Sequence, residues 1–299
     1  IGQELVPKLC ARGAIVMVGD LKPKPELFPA AVSYWRGDLT TISQQELDSF
    51  APQVIIHLAA TFERSQESAS FWEENFHHNV ALSHHIMTLA TQCATLERVV
   101  FASSYLVYEP DLYQFQAPQN RPVSLVETDR ISPRNLVGMA KLSHEAELRF
   151  LAGFAETRFT SVSARITRGY GRNSRDVVSR WVRAAIRGEP LSVYRPEGMF
   201  DYIYAADSAE GLIRLAENPS LSGAVNLGTG RAESVSSVVQ ILKAEFPSLT
   251  LVMESSSIGY EASQADITLL FNMTGWSPAY SLERGILEII DHEKGLARV

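Results

Sequence analysis

Seven arginines fall within "RITRGYGRNSRDVVSRWVRAAIR": Arg165, Arg168, Arg172, Arg175, Arg180, Arg183 and Arg187, with Asp176 as the one acid among them. A guanidinium binds phosphate or carboxylate as a two-pronged fork, so the group reads as a site for an anionic ligand. Arg183 and Arg187 read instead as a solvated helix face. The chain as a whole carries a net charge of −7, so it has no general attraction for nucleic acid or anionic membrane, and any anion site must be local. Lys141 lies in a helical pattern over residues 135 to 155. Four positions before it stands Val137, which can neither donate nor accept a proton. His77–His78 and His84–His85 are seven residues apart, with no i,i+4 histidine pair and no carboxylate partner in evidence. That spacing predicts a solvent-facing or subunit-facing helix and no metal centre.

The elements that must position these residues are legible as alternating patterns. "AIVMVGD", "QVIIHLAA", "ERVVFASS", "TSVSARIT" and "GAVNLGTG" are strand-sized apolar runs, separated by helical patterns at 72–93, 135–155, 175–187, 207–217 and 234–245. Residues 2–12 read as an amphipathic helix ended by Gly13. Strands apolar on both faces and alternating with helices predict a mostly parallel, doubly wound α/β sheet with ligands at the carboxyl ends of its strands. The reading assigns residues 1–168 to this dinucleotide-binding type of domain. Residues 169–299 form mainly a smaller C-terminal substrate-binding lobe, with 200–228 returning to the sheet. With 45% hydrophobic and 20% charged residues the composition is that of a globular chain. No run is long enough for a membrane helix. Cys10 and Cys93 are too few for a disulfide framework, which fits a reducing cytoplasm.

Nine short stretches, in order, resemble the extended short-chain dehydrogenase/reductases of the NAD-dependent epimerase/dehydratase type. They are "IGQELVPKL", "GDL" at 37–39, "VIIHLAA" at 54–60, "NV" at 79–80, "SSYLVY" at 103–108, "RITRGYG" at 165–171, "FDYIYAAD" at 200–207, "VNLGTG" at 225–230 and "GWSP" at 275–278. The family acts mostly on nucleotide-linked sugars, commonly as homodimers joined through the helix after "VIIHLAA" and the helix carrying Lys141. Gly2 matches the last glycine of the family's G-x-x-G-x-x-G fingerprint. The resemblance therefore expects the first strand and the earlier glycines upstream of Ile1. Asp20, 18 residues on (20 − 2), would accept the adenosine ribose hydroxyls and favour NAD, although Lys22 and Lys24 leave NADP open. Asp38 and Leu39 match the adenine contact. Leu58, Ala59, Ala60, Thr61 and Asn79 match positions beside the dinucleotide.

Ser104 matches the catalytic Ser or Thr that polarises a substrate oxygen. In the 4,6-dehydratase branch the next two residues are an acid pair. Here they are Tyr105 and Leu106, so ordinary 4,6-dehydration is not expected. The family's Tyr-x-x-x-Lys places a general base at the position of Val137, and Lys141 matches the ribose-binding Lys. Loss of a general base typically costs ~10²–10⁴ in rate. Tyr105 is the candidate to replace it, and aromatic packing is its other reading. Arg168 stands where the family has Asn against the sugar nucleotide, with Arg172 and Arg175 as further substrate contacts. Asp201 resembles the acid of the family's "RDYIY", whose Arg is here Phe200. The resemblance implies an atypical NAD(P)-dependent enzyme performing hydride transfer at a secondary alcohol or ketone of a nucleotide sugar or similar anionic polyol. The alternative is a redox-inactive dinucleotide or nucleotide-sugar sensor.

Overall fold

Helix α1 (Gly2–Ala11) opens the chain and buries Leu5 and Val6 on the expected face. The structure is a computed structural model describing residues 1–62, 67–256 and 259–296. The strands that follow are β1 (Met17–Asp20), β2 (Ser33–Arg36), β3 (Val54–His57), β4 (Arg98–Ser104), β5 (Thr160–Ile166), β6 (Arg168–Tyr170), β7 (Met199–Tyr204), β8 (Gly223–Leu227) and β9 (Ala232–Ser234). Between them run α2 (Ala69–Asn75), α3 (Leu82–Gln92), α4 (Leu136–Leu151), α5 (Val177–Ile186), α6 (Ala205–Ala216) and α7 (Val235–Glu245), with α8 (Leu282–Leu296) last.

β3, β4, β5 and β8 form a parallel sheet in the order β8-β5-β4-β3, with Val54 opposite Arg98, Arg98 opposite Thr160 and Val162 opposite Gly223. β4 is buried along all but its last residue, and such a strand needs cover on both faces. On one face α6 lays Leu212 and Leu215 against Val100, Val162 and Leu227. On the other, α3 and α4 bring Met87, Leu89, Ala90 and Leu148 to Val99 and Phe101. Arg98 staples the covering layer to the sheet by donating to the carbonyls of Leu215 (2.8 Å) and Leu221 (2.7 Å) and to Thr160 Oγ1 (3.0 Å). β1 and β2 pair in parallel as a separate unit. Among the described residues, the far edges of β1 and β3 have no strand partner, and a cleft opens between them at the position where the resemblance sets the first strand.

The smaller lobe has its own core. β7 lies between β6, parallel, and β9, antiparallel, with Tyr202 opposite Arg168. Val178 and Val182 of α5, Val238 and Leu242 of α7 and Ile286 and Ile289 of α8 close over Tyr170, Tyr202 and Tyr204. The expected return to the larger sheet at residue 200 is corrected here: residues 199–204 belong to the lobe's sheet. Helix α6 is the first element to rejoin the larger sheet, followed by β8. Chain on both sides of the boundary is stitched together, because Val123–Leu125 pairs with Ser263–Ala265. No helix among the described residues is long and apolar enough to cross a membrane.

Two local features set the site. The single helix expected over 72–93 is divided, because a π turn at Phe76–Ala81 separates α2 from α3. Helix α4 is capped by Asn135, whose Oδ1 accepts the Gly138 N–H at 2.9 Å. It presses so closely on the turn Tyr105–Val107 that a Cβ on Gly138 would lie 2.5 Å from the Leu106 carbonyl oxygen. Replacing Gly138 by Ala therefore forces α4 away from that turn. We expect Gly138→Ala to lower stability by about 1–3 kcal/mol in a denaturant titration; an unchanged midpoint would refute this contact.

Candidate active site at the strand ends

The cleft at the carboxyl ends of the strands has a volume of about 3020 Å³. A single small-molecule site occupies ~300–1,000 Å³, and this cleft runs on past the edges of β1 and β3 and along the smaller lobe at Trp181, Leu191 and Tyr194. On the substrate side it is lined by Ser104, Tyr105, Arg134, Arg168, Phe200 and Glu261. Ser104 is the last residue of β4, and its Oγ accepts the Leu106 N–H at 3.2 Å, which leaves the hydroxyl proton free to donate. The chain then turns sharply through Tyr105–Val107, which places Tyr105 on the wall. The Arg134 Nη2 stands 3.5 Å from the Tyr105 hydroxyl, while Nη1 pairs with Glu261 at 2.6 Å. Arg134 and Glu261 were not singled out from the sequence. They are 127 residues apart, so neither looks like half of a pair in the linear chain.

Arg168 stands at the start of β6 with its guanidinium 4.1 Å over the Phe200 ring. It makes no hydrogen bond or ion pair with a described residue. Burial works against its charge, and Tyr105, Glu261 and Tyr202 more than offset this, so the group stays a guanidinium.

The other arginines do not gather around it. Arg165 and Arg187 are bound in two-pronged fashion by Glu145 and Glu189, and Arg183 donates once to Glu293 at 3.0 Å. Arg172 was expected to contact substrate, but its Nη2 pairs with Glu4 at 2.6 Å and helps clasp the loop after Gly171 to α1. Arg175 lies over the Phe62 ring at 5.6 Å on the cleft wall. Asp201 is likewise corrected. It is buried, and its two oxygens accept the backbone N–H groups of Thr229, Gly230 and Ala265 at 2.8–3.0 Å and the Thr229 hydroxyl at 2.6 Å. It fastens three segments together and has no oxygen left for a ligand.

Val137 is buried in one apolar cluster with Phe71, Tyr105, Leu106 and Tyr108, so aliphatic packing fills the position where a tyrosine was sought. One turn further, Lys141 is buried with its ammonium 4.8 Å from the Phe101 ring centre. It too has no acceptor among the described residues. Desolvation pulls its pKa down to about 8. The neighbouring polar groups are committed elsewhere: His57 to Ser83 at 2.9 Å, and His144 Nδ1 to Glu147 at 2.7 Å.

The other half of the cleft is lined by Gly2, Asp20, Leu39, Leu58, Ala59, Ala60 and Thr61. Helix α1 begins there without a side-chain cap, so its first N–H groups are available to an anion. Asp20 is exposed at the tip of β1 and accepts the Lys22 N–H at 2.9 Å. The Lys24 ammonium is turned to the carbonyls of Ala30 and Val32 at 3.3 and 2.8 Å, away from a role beside Asp20. Two expected contacts are not on this wall. The Asp38 carboxylate faces Thr40 and His77, leaving Gly37 and Leu39 at the surface of the cleft. Asn79 is buried, clamping the Thr61 backbone through Thr61 N–H to Oδ1 at 2.7 Å, so it positions the lining segment without reaching the cleft. An uncapped helix start, an exposed strand-end carboxylate and a buried ammonium lacking an acceptor match what a dinucleotide needs: diphosphate, ribose and nicotinamide ribose contacts.

Known proteins fit this arrangement. The crystallised MoeE5, in complexes with NAD and either UDP-glucose or UDP-glucuronic acid, is 26% identical, with a TM-score of 0.84 over 99% of this chain and 96% of its own. The dTDP-L-rhamnose 4-epimerase of Burkholderia thailandensis is 22% identical over 275 residues, covering 81% of this chain and 75% of that protein. UDP-glucuronic acid decarboxylase 5 of Arabidopsis thaliana is 31% identical over 113 residues, which span 33% of its length and 37% of this chain. Residues 1–228 match the NAD dependent epimerase/dehydratase family along their whole extent. The chain belongs to that family.

Proposed function

We propose that this protein is an NAD-dependent enzyme that oxidises or epimerises a secondary alcohol of an anionic nucleotide-linked sugar. The observation that carries the reading is Arg168: a guanidinium stacked on Phe200, facing the cleft beside Ser104 and Tyr105, with every N–H donor unfilled by a described residue. Such a group calls for a phosphate or carboxylate oxygen. The complexes of MoeE5 with two nucleotide sugars and NAD support both the substrate class and the cofactor.

NAD, when bound, supplies the redox partner for the alcohol carbon. The residues of this chain do the rest. The N–H groups of α1 and the Asp20 carboxylate would hold the adenosine diphosphate half, and the Lys141 ammonium would donate to the hydroxyls of the second ribose. The Ser104 hydroxyl donates to the reacting oxygen. The Tyr105 hydroxyl takes up or returns that oxygen's proton, with the guanidinium of Arg134 3.5 Å from it. Tyr105 thus does the work that Val137 cannot. The packed aliphatic side chain at 137 favours the redox-inactive alternative, and loss of turnover in Tyr105→Phe decides between them.

Three substitutions test the reading. Tyr105→Phe is expected to lower kcat by ~10²–10⁴ with dinucleotide affinity unchanged, and full activity would remove Tyr105 from the chemistry. Arg168→Gln is expected to raise KM for the nucleotide sugar by roughly 10–100-fold, the loss of a charged hydrogen-bonding partner; an unchanged KM would place the anion elsewhere. Lys141→Met is expected to abolish dinucleotide binding while leaving the fold more stable at neutral pH. The unfolded chain keeps this proton up to about 10.5, whereas the folded protein releases it near pH 8. Between those values the unfolded state binds more protons, so wild-type stability should rise with pH there and the variant's should not. A variant less stable at pH 7 would contradict the assignment.

A further inference from the structure

Asp38, His77 and His78 meet at the outer rim of the cleft, away from Ser104 and Lys141, and the proposed reaction uses none of them. One ligating atom from each lies within 4.8 Å of the other two. The sequence alone put the two histidines on a solvated helix without a carboxylate partner. The carboxylate comes instead from the turn after β2, 39 residues earlier. In an ordinary α-helix successive side chains diverge by about 100°. Here both histidines fall in the π turn Phe76–Ala81, a rare feature often found at functional sites. Their rings stand 4.7 Å apart in an edge-to-face arrangement.

We propose that Asp38, His77 and His78 form a binding site for a divalent transition cation of the zinc class. The donor set, one carboxylate oxygen and two imidazole nitrogens, is that of an open three-ligand zinc site. The carboxylate is already oriented: the Thr40 N–H and hydroxyl both donate to Oδ1, at 3.0 and 2.8 Å, leaving Oδ2 to face His77 Nε2 at 2.7 Å. Partners of this kind fix the direction of a metal ligand. The cation would sit between Asp38 Oδ2 and His77 Nε2, with the proton of the neutral His77 ring carried on Nδ1. His77 is exposed, so the ion can enter from solvent. His78 lines the cleft, so the bound ion sits at the edge of its adenosine half.

The test is a titration of the chelator-stripped full chain with Zn²⁺ against a chromophoric chelator. One equivalent is expected to bind at micromolar protein. His77→Ala, His78→Ala and Asp38→Asn should each weaken it by at least tenfold, because even partners behind the ligands typically contribute ~10–100-fold. The double variant His84→Ala/His85→Ala serves as the control and should bind as wild type does. Absence of binding, binding indifferent to all three site substitutions, or loss confined to the His84/His85 variant would each overturn the proposal.

Discussion

Removing a cation from water without giving it an acceptor costs several kcal/mol, and this fold does so with Lys141, which is buried and is not among the residues lining the cleft. Lys141 and Arg168 are each held against a phenylalanine ring, Phe101 and Phe200, and neither has a carboxylate or carbonyl partner among the described residues. A cation over an aromatic face recovers only about 0.5–2 kcal/mol. For Lys141 the remainder is a demand for oxygen ligands, whereas the charge of Arg168 is already favoured by Tyr105, Glu261 and Tyr202 and only its hydrogen-bond donors are left to a ligand. The two cations sit on different elements, α4 and the start of β6. A molecule satisfying both must cross the strand ends, as a dinucleotide and a sugar nucleotide lying end to end would do.

The scaffold fixes these groups by committing its other charges. Asp201 spends both oxygens on three backbone N–H groups of two segments, Arg98 ties α6 to the sheet, and Glu145 absorbs Arg165. Helix α4 carries Lys141 against the turn bearing Tyr105, and the absence of a side chain at Gly138 permits that approach. The same close packing explains how Val137 can be tolerated. It joins the aromatic cluster that supports Tyr105, so the loss of one hydroxyl leaves an apolar support for another.

The sequence made the main sheet legible because β4, β5 and β8 are buried along most of their length and, with the half-buried β3, read as largely apolar runs. The lobe's strands were hidden: β6 and β9 are three residues long and β7 begins among polar residues, so their pairing depends on tertiary contact. The π turn was equally invisible, since an extra residue in a helical turn leaves the surrounding pattern intact. At the site, Ser104, Tyr105, Arg168 and the run 58–61 line the cleft. The errors concern charges whose partners are distant in sequence. Arg172 meets Glu4 across 168 residues, and Asp201 meets Ala265 across 64. Counting only the acids inside the arginine-rich stretch left Arg172 looking free when folding had already paired it.

The most direct test of the account is the proton balance of dinucleotide binding. Calorimetric titration with NAD in two buffers of different ionisation enthalpy, at a pH just above 8, reports protons taken up or released. With the unpaired ammonium near pH 8 and ribose hydroxyls as its new acceptors, the account predicts that a proton is taken up on binding and that affinity declines as pH rises further. Tight binding with no buffer dependence would contradict it, because the buried lysine would then have gained no partner.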